Sequence, residues 1–128
     1  MDGSTGFSRN WTDYKYGFGN MERDFWLGLE PIHILTNLEP QELRLDIEYF
    51  NNSKKSYLYK NFTIDGEGNN YYYSGYSAKI DNSDYLFESR LQYFSTFDRD
   101  NDREANKNYA KILNNGWWHW RGTNVWYV

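Results

Sequence analysis

Phe97-Asp98-Arg99-Asp100-Asn101-Asp102 is the stretch on which the reading of this chain turns. It sets three carboxylates at alternate positions, with Asn106 and Asn108 after them and an aromatic-glycine cluster, Gly116-Trp117-Trp118, soon beyond. Carboxylates this close repel one another. A hard cation removes that repulsion, and Asp side chains with backbone carbonyls are what calcium takes as ligands. The run is a candidate calcium loop. A solvated acidic turn is the plainer alternative, and the run by itself weighs the two evenly. An EF-hand does not fit, because loop position 6 is Arg103 where Gly is needed and position 12 is Tyr109 where a bidentate Glu is needed.

Working outward, the clearest element is a strand over Glu42 to Phe50. Leu43, Leu45, Ile47 and Tyr49 alternate with Arg44, Asp46 and Glu48, a period of two with one buried face. Asn51-Asn52-Ser53 reads as a turn, and Ser56 to Ile64 as the partner strand with Tyr57, Tyr59 and Asn61 on one face. After a second turn at Asp65–Asn70, Tyr71 to Tyr76 predicts a third strand and hence an antiparallel meander. Upstream, Asn10 or Thr12 caps a short helix reaching Phe18, with Trp11, Tyr14 and Phe18 on one face and Gly17 and Gly19 ending it. Phe25-Trp26-Leu27-Gly28-Leu29 reads as a short buried run, and Pro31 opens a second helix over Ile32 to Asn37. Beyond Ser77 no periodicity is clear, so loops tied down by rings and a metal are expected.

Composition bounds the function. At 128 residues the protein is one domain or less, yet long enough for a core. The formal charge is -4 and the basic residues are scattered, which excludes a nucleic-acid or membrane patch. No apolar run approaches a membrane span, and no basic stretch followed by an apolar one marks a signal peptide. That last feature alone points to the cytosol. Two others point outside the cell. Aromatics make up 21% of the residues, with 13 Tyr and 6 Trp, a composition suited to interaction surfaces. Three sequons, at Asn10, Asn51 and Asn61, are candidate N-glycosylation sites. There is no cysteine, which removes thiol nucleophiles and Cys-ligated zinc. Catalysis is the weakest reading: His33 and His119 are the two histidines, no Ser-His-Asp spacing is persuasive, and strand alternation makes Asp46 and Glu48 a solvated face.

Several segments together resemble the fibrinogen C-terminal-like domain of ficolins, angiopoietins, tenascins, tachylectins and invertebrate fibrinogen-related proteins. They are Asp2-Gly3-Ser4 with Phe7 and Asn10-Trp11; Tyr14-Lys15 with Gly17-Phe18-Gly19; Glu22 with Phe25 to Glu30; Ile32-His33 with Leu35-Thr36; Glu42-Leu43-Arg44; Tyr76-Ser77; Phe94 to Asp102; and Gly116-Trp117-Trp118. They stand in the family's order with roughly its spacing. The resemblance implies an α+β fold: a central antiparallel sheet with short flanking helices over about residues 1–76, then a loop-rich subdomain over about 77–128 carrying calcium and ligand sites. It implies an extracellular protein, secreted or membrane-tethered, with structural calcium as its cofactor; secretion is the expectation here. The calcium ligands it implies are the side chains of Asp100 and Asp102 and the backbone carbonyls of Glu104 and Asn106, with Asp98 in support. The loop is one residue longer than usual, so the carbonyl pair can slip by one.

The sequence also departs from that pattern. Asn108-Tyr109-Ala110 stands where the family has Asn-Cys-Ala, and Trp118-His119-Trp120-Arg121-Gly122 lacks the partner cysteine. A bridge of that kind typically stabilises by about 2–4 kcal/mol; here calcium and the tryptophans are expected to stand in for it. The acetyl-pocket His that follows the second cysteine in ficolin-like members has no equivalent. Trp118, His119 and Tyr127 are the candidate ligand-binding residues. The sequence resembles the middle of a domain, with the family's outer strands missing. Three readings of function stand: a calcium-dependent lectin of innate immunity recognising acetylated or other glycans; a protein-binding signalling or matrix module meeting a cell-surface receptor; and a degenerate fragment with no independent function. No nucleic-acid partner or membrane insertion is expected, and the full-length protein is expected to be homo-oligomeric through segments absent here.

Overall fold

The computed structural model of the protein describes residues 3–74 and 89–120. Helix α1, Trp11–Tyr16, starts at an Asn10 cap whose Oδ1 accepts the Asp13 N–H at 2.9 Å, satisfying one of the first turn's orphan donors. The helix stops two residues short of Phe18, because Gly17 takes a φ of 101°, which no helix contains. Phe18 instead opens a two-residue strand, β1 (Phe18–Gly19), paired antiparallel with β2 (Phe25–Trp26).

Gly28 explains the Trp26-Leu27-Gly28-Leu29 motif. Its φ is 114°, and a Cβ on it would lie 2.8 Å from the Tyr16 carbonyl carbon; one on Gly17 would lie 2.6 Å from the Leu27 oxygen. The two glycines let the backbone leaving α1 lie directly on the backbone entering α2, Leu29–Leu38. The motif is therefore not the buried run expected of it. Phe25 and Leu27 are exposed, and Leu29 alone of the five is a fully enclosed side chain. Helix α2 also begins earlier than expected, with Gly28 at its cap and Pro31 inside the first turn, where a missing N–H costs little.

Strands β3 (Glu42–Glu48) and β4 (Lys54–Lys60) form the main hairpin, in register from Glu42↔Lys60 to Glu48↔Lys54. Leu43, Leu45 and Ile47 pack on the core from β3, and Tyr57 and Tyr59 are buried from β4. Asp46 lies on the solvent face, where it accepts from Ser56 Oγ and Arg44 Nε. β4 ends before Asn61, which turns to a left-handed φ of 53° and is exposed rather than sharing the tyrosine face. The third strand is not formed in the described residues. Asn70 and Tyr71 both hold left-handed backbone, and pairing shrinks to isolated bridges from Tyr73 to Ile64 on one side and Gln92 on the other. Among the described residues there are two separate two-stranded sheets, not a meander. Tyr76 and the expected subdomain boundary near Ser77 lie outside the described residues.

The second half holds a helix that the sequence reading lacked: α3, Tyr109–Leu113, capped by Asn108, whose Oδ1 accepts the Lys111 N–H at 2.8 Å. The fold is α+β, short helices around antiparallel hairpins, followed by a loop-rich segment. Its core is aromatic. Phe94, fully buried, has ring centroids of Trp118, Tyr14, Trp26 and Trp11 at 4.9, 5.2, 6.0 and 6.2 Å. Among the described residues no helix is long and apolar enough to cross a membrane.

Candidate functional site

The acidic run leaves the core directly. Asn101 Nδ2 donates to the Phe94 carbonyl at 2.8 Å and its backbone N–H to Ser95 Oγ at 3.0 Å, so the loop is pinned to the central ring's own backbone. Each of the three aspartates has a different job. Asp98 Oδ1 accepts the Trp11 N–H at 3.0 Å and the Thr96 hydroxyl at 2.7 Å, which holds the start of α1. Asp102 accepts the Glu104 N–H on Oδ1 at 2.8 Å and the Tyr109 N–H on Oδ2 at 2.9 Å, which holds the start of α3. Asp100 Oδ1 accepts the Asp102 N–H at 3.2 Å. Carboxylates at helix starts are favourable on dipole grounds as well.

Arg99, between them, turns the other way. Its guanidinium carbon lies 4.0 Å from the Trp11 ring centroid, and it reaches Asn70 Oδ1 at 2.9 Å and Glu67 at 3.5 Å. Lys15 and the Trp11 indole N–H also converge on Glu67, and the hydrogen bond from Lys15 is the main reason its carboxyl lies below the usual range. The cations are thus spent on Glu67, and neither is bonded to Asp100 or Asp102.

Asp100 titrates above its ordinary value. Lost hydration is the chief cause; the Asp102 N–H opposes it, and the Asp102 carboxylate adds to it. Burial and the neighbouring carboxylate both disfavour a charged Asp100, and a bound cation would offset them. Glu104 is half-buried, and its carbonyl accepts from the Lys107 N–H at 3.3 Å; Asn106 is exposed. Among the described residues no three His, Asp or Glu side chains converge on one point. A cation here therefore depends on two carboxylates and main-chain oxygens. That all-oxygen donor set is calcium's rather than zinc's, and the residues fit the ion.

The aromatic-glycine cluster closes against this loop. Ser95 and Trp117 exchange both backbone hydrogen bonds, and the Gly116 N–H donates to the Tyr14 hydroxyl at 3.0 Å. Trp118, expected at a ligand surface, is not there. It is 5% exposed, and its indole N–H donates to the Tyr71 carbonyl at 2.7 Å, so its ring is a core wall. His119 is equally enclosed, with Nε2 3.3 Å from the Asn115 carbonyl, and burial holds it below its ordinary pKa, hence neutral. Asn115 Oδ1 is buried with no hydrogen-bond partner among the described residues. Trp120, next to His119, is exposed. Tyr127 lies outside the described residues. The three sequon asparagines, Asn10, Asn51 and Asn61, are all exposed. Sequence reasoning missed Asn115 and α3. The available signal was Asn108 followed by Tyr-Ala-Lys-Ile-Leu, a cap before residues that can carry a helix turn.

Residues 1–126 match the family model described as "Fibrinogen beta and gamma chains, C-terminal globular domain". The protein belongs to this family. Bovine fibroleukin is 41% identical over 123 residues, an overlap covering 92% of this sequence and 28% of fibroleukin. Human ficolin-3 is 38% identical over 120 residues, covering 93% and 40% respectively. The fibrinogen-like globe domain of human ANGPTL6 shares the fold at a TM-score of 0.88 and 33% identity, over 94% of this protein and 54% of that one. The protein thus spans about half, or less, of the length of each relative. Members of this family are non-enzymatic recognition or binding proteins.

Proposed function

We propose that this domain is an extracellular recognition module, supported by structural calcium at Asp100, Asp102 and the carbonyls of Glu104 and Asn106, that binds acetylated or other glycans in an innate-immunity role. The observation carrying the calcium part is the Asp100–Asp102 pair, where lost hydration first and the Asp102 carboxylate second raise the proton affinity of Asp100. Calcium, when bound, supplies the positive charge that this pair lacks. The protein's own residues do the rest. Asn101 fixes the loop to Phe94, and Asp102 fixes α3 to the loop. His119, close enough to sense the Asp102 charge, is a neutral imidazole packed behind the loop rather than on its surface. Similarity to ficolin-3 supports the glycan reading.

A second reading, protein binding at a cell-surface receptor, is favoured by the burial of Trp118, which withdraws one ring from sugar stacking, and by similarity to the ANGPTL6 globe domain. Thermal melts in calcium and in chelator, followed by near-UV CD, test the proposal. At a calcium concentration about 100 times Kd the wild type is expected to gain about 2.7 kcal/mol. Asp100→Asn is expected to lose that gain; the Asn replacement is chosen to avoid unmooring the loop. A wild-type melt unmoved by calcium would overturn the calcium assignment. Retention on N-acetylated sugar resin that chelator does not weaken would overturn calcium-supported glycan recognition. The absence of a cooperative transition in both conditions would favour a fragment with no independent function.

A further inference from the structure

We propose that Asn51 carries an N-linked glycan and that this glycan covers the exposed Phe50 ring at the apex of the β3–β4 hairpin, an inference that rests on the extracellular reading above. The three sequons are equal as motifs but not as structures. At Asn10 the side-chain amide caps α1, and Thr12 lies within the helix, so the motif runs into regular structure. At Asn61 the middle residue is tied down: the Phe62 N–H donates to the Gln41 carbonyl at 3.0 Å, and the Phe62 ring packs on Tyr73 at 5.3 Å. At Asn51 all three motif residues are exposed at the tip of a turn, which is closed by Asn52 N–H to Tyr49 O at 2.8 Å and Tyr49 N–H to Ser53 O at 2.9 Å.

The Asn51 amide is also arranged for the chemistry. Its Oδ1 accepts both the Ser53 N–H at 3.0 Å and the Ser53 hydroxyl at 2.6 Å. Donors on the amide oxygen favour loss of a proton from Nδ2, the atom that reacts. The co-reactant is a lipid-diphosphate-linked oligosaccharide. Nδ2 attacks its anomeric carbon; the N–C bond forms, the C–O bond to diphosphate breaks, the lipid diphosphate leaves, and the amide proton passes to a base of the transferase. Nothing is oxidised or reduced.

The neighbour of Asn51 gives the glycan a task. Phe50 is exposed at 109%, the barest large apolar side chain among the described residues. A sugar presents C–H faces that remove aromatic surface from water when they pack on it. A glycan rooted one residue away is within reach of that ring.

The test expresses the 128-residue sequence in cultured cells behind a supplied secretory leader, with an appended reporter sequon that registers translocation. Occupancy is read by mass spectrometry after N-glycosidase treatment in heavy-oxygen water, on secreted and intracellular material alike. Asn51 is expected to carry the label, and Asn51→Gln and Ser53→Ala are each expected to lose one glycan step on a gel. Enzymatic deglycosylation is expected to lower the Tm of the wild type more than that of Phe50→Ala. An empty Asn51 beside an occupied reporter overturns the proposal. Because the leader is supplied, that result leaves the extracellular reading untouched. Equal Tm losses in wild type and Phe50→Ala overturn the covering of Phe50.

Discussion

Burial makes His119 a liability in acid. The imidazole is 6% exposed, and lost hydration holds its pKa below the ordinary 6.5, against partial support from the Asn115 carbonyl and the Asp102 charge. Below pH 6.5 the unfolded protein binds a proton here that the folded protein refuses. Stability is therefore expected to fall as pH drops from 6.5 towards the depressed folded value and to level off beneath it. Urea midpoints for wild type and His119→Gln across that range check the expectation; the variant should lose the slope, and an identical slope in both would refute it. Asp100 has the opposite sign. Its raised carboxyl contributes stability below the ordinary 3.8, which is lost as pH rises through the folded value, so chelated protein carries that deficit at neutral pH. The candidate carboxylates were legible in the sequence because alternate acidic residues mean the same thing wherever the backbone goes. The burial of Trp118 and His119 was not, because it depends on Tyr71 and Asn115, partners that no local pattern announces.

At the scale of elements, the aspartates join the loop to two helices. Asp98→Ala removes the acceptor for the first N–H of α1 and leaves the Thr96 hydroxyl without its partner. The loss is expected to cost about 1 kcal/mol, the usual cost of a missing helix cap. Denaturant unfolding should show the midpoint falling with an unchanged m-value, and Asn10→Ala should cost a similar amount at the other acceptor of the same helix start. Cost-free removal of Asp98 would mean that water serves α1 equally well. Element legibility follows the same physics. β3 was readable because a half-buried strand writes its geometry into alternate residues, and the structure keeps that alternation from Glu42 to Glu48. α3 was not, because five residues give too few turns for a period to show. The third strand failed at Asn70 and Tyr71, where left-handed backbone overrides the strand preference of consecutive tyrosines.

For the molecule as a whole, core and loop meet at Phe94. Its ring lies among Trp11, Tyr14, Trp26 and Trp118, while its carbonyl holds Asn101 in the middle of the acidic run. The high aromatic fraction, read from the sequence as suited to interaction surfaces, goes largely into the core instead; which ring is central is set by contacts from Trp11 to Trp118 and by no local period. Phe94→Ala is expected to cost about 3–5 kcal/mol, the usual range for emptying a buried aromatic site. Domains have about 5–15 kcal/mol in total, and this one has no disulfide to limit its unfolded state. Calcium at about 100 times Kd returns about 2.7 kcal/mol, less than the deletion removes. The variant should therefore melt well below wild type in chelator and recover only part of the difference in calcium. Its calcium affinity should also weaken, since the backbone that anchors Asn101 is no longer held by packing. Paired melts and a calcium titration of both proteins decide the point. Weakened affinity alongside lowered stability would show that the ring and the loop are coupled, whereas full wild-type affinity in a destabilised variant would show that the loop forms independently of the core.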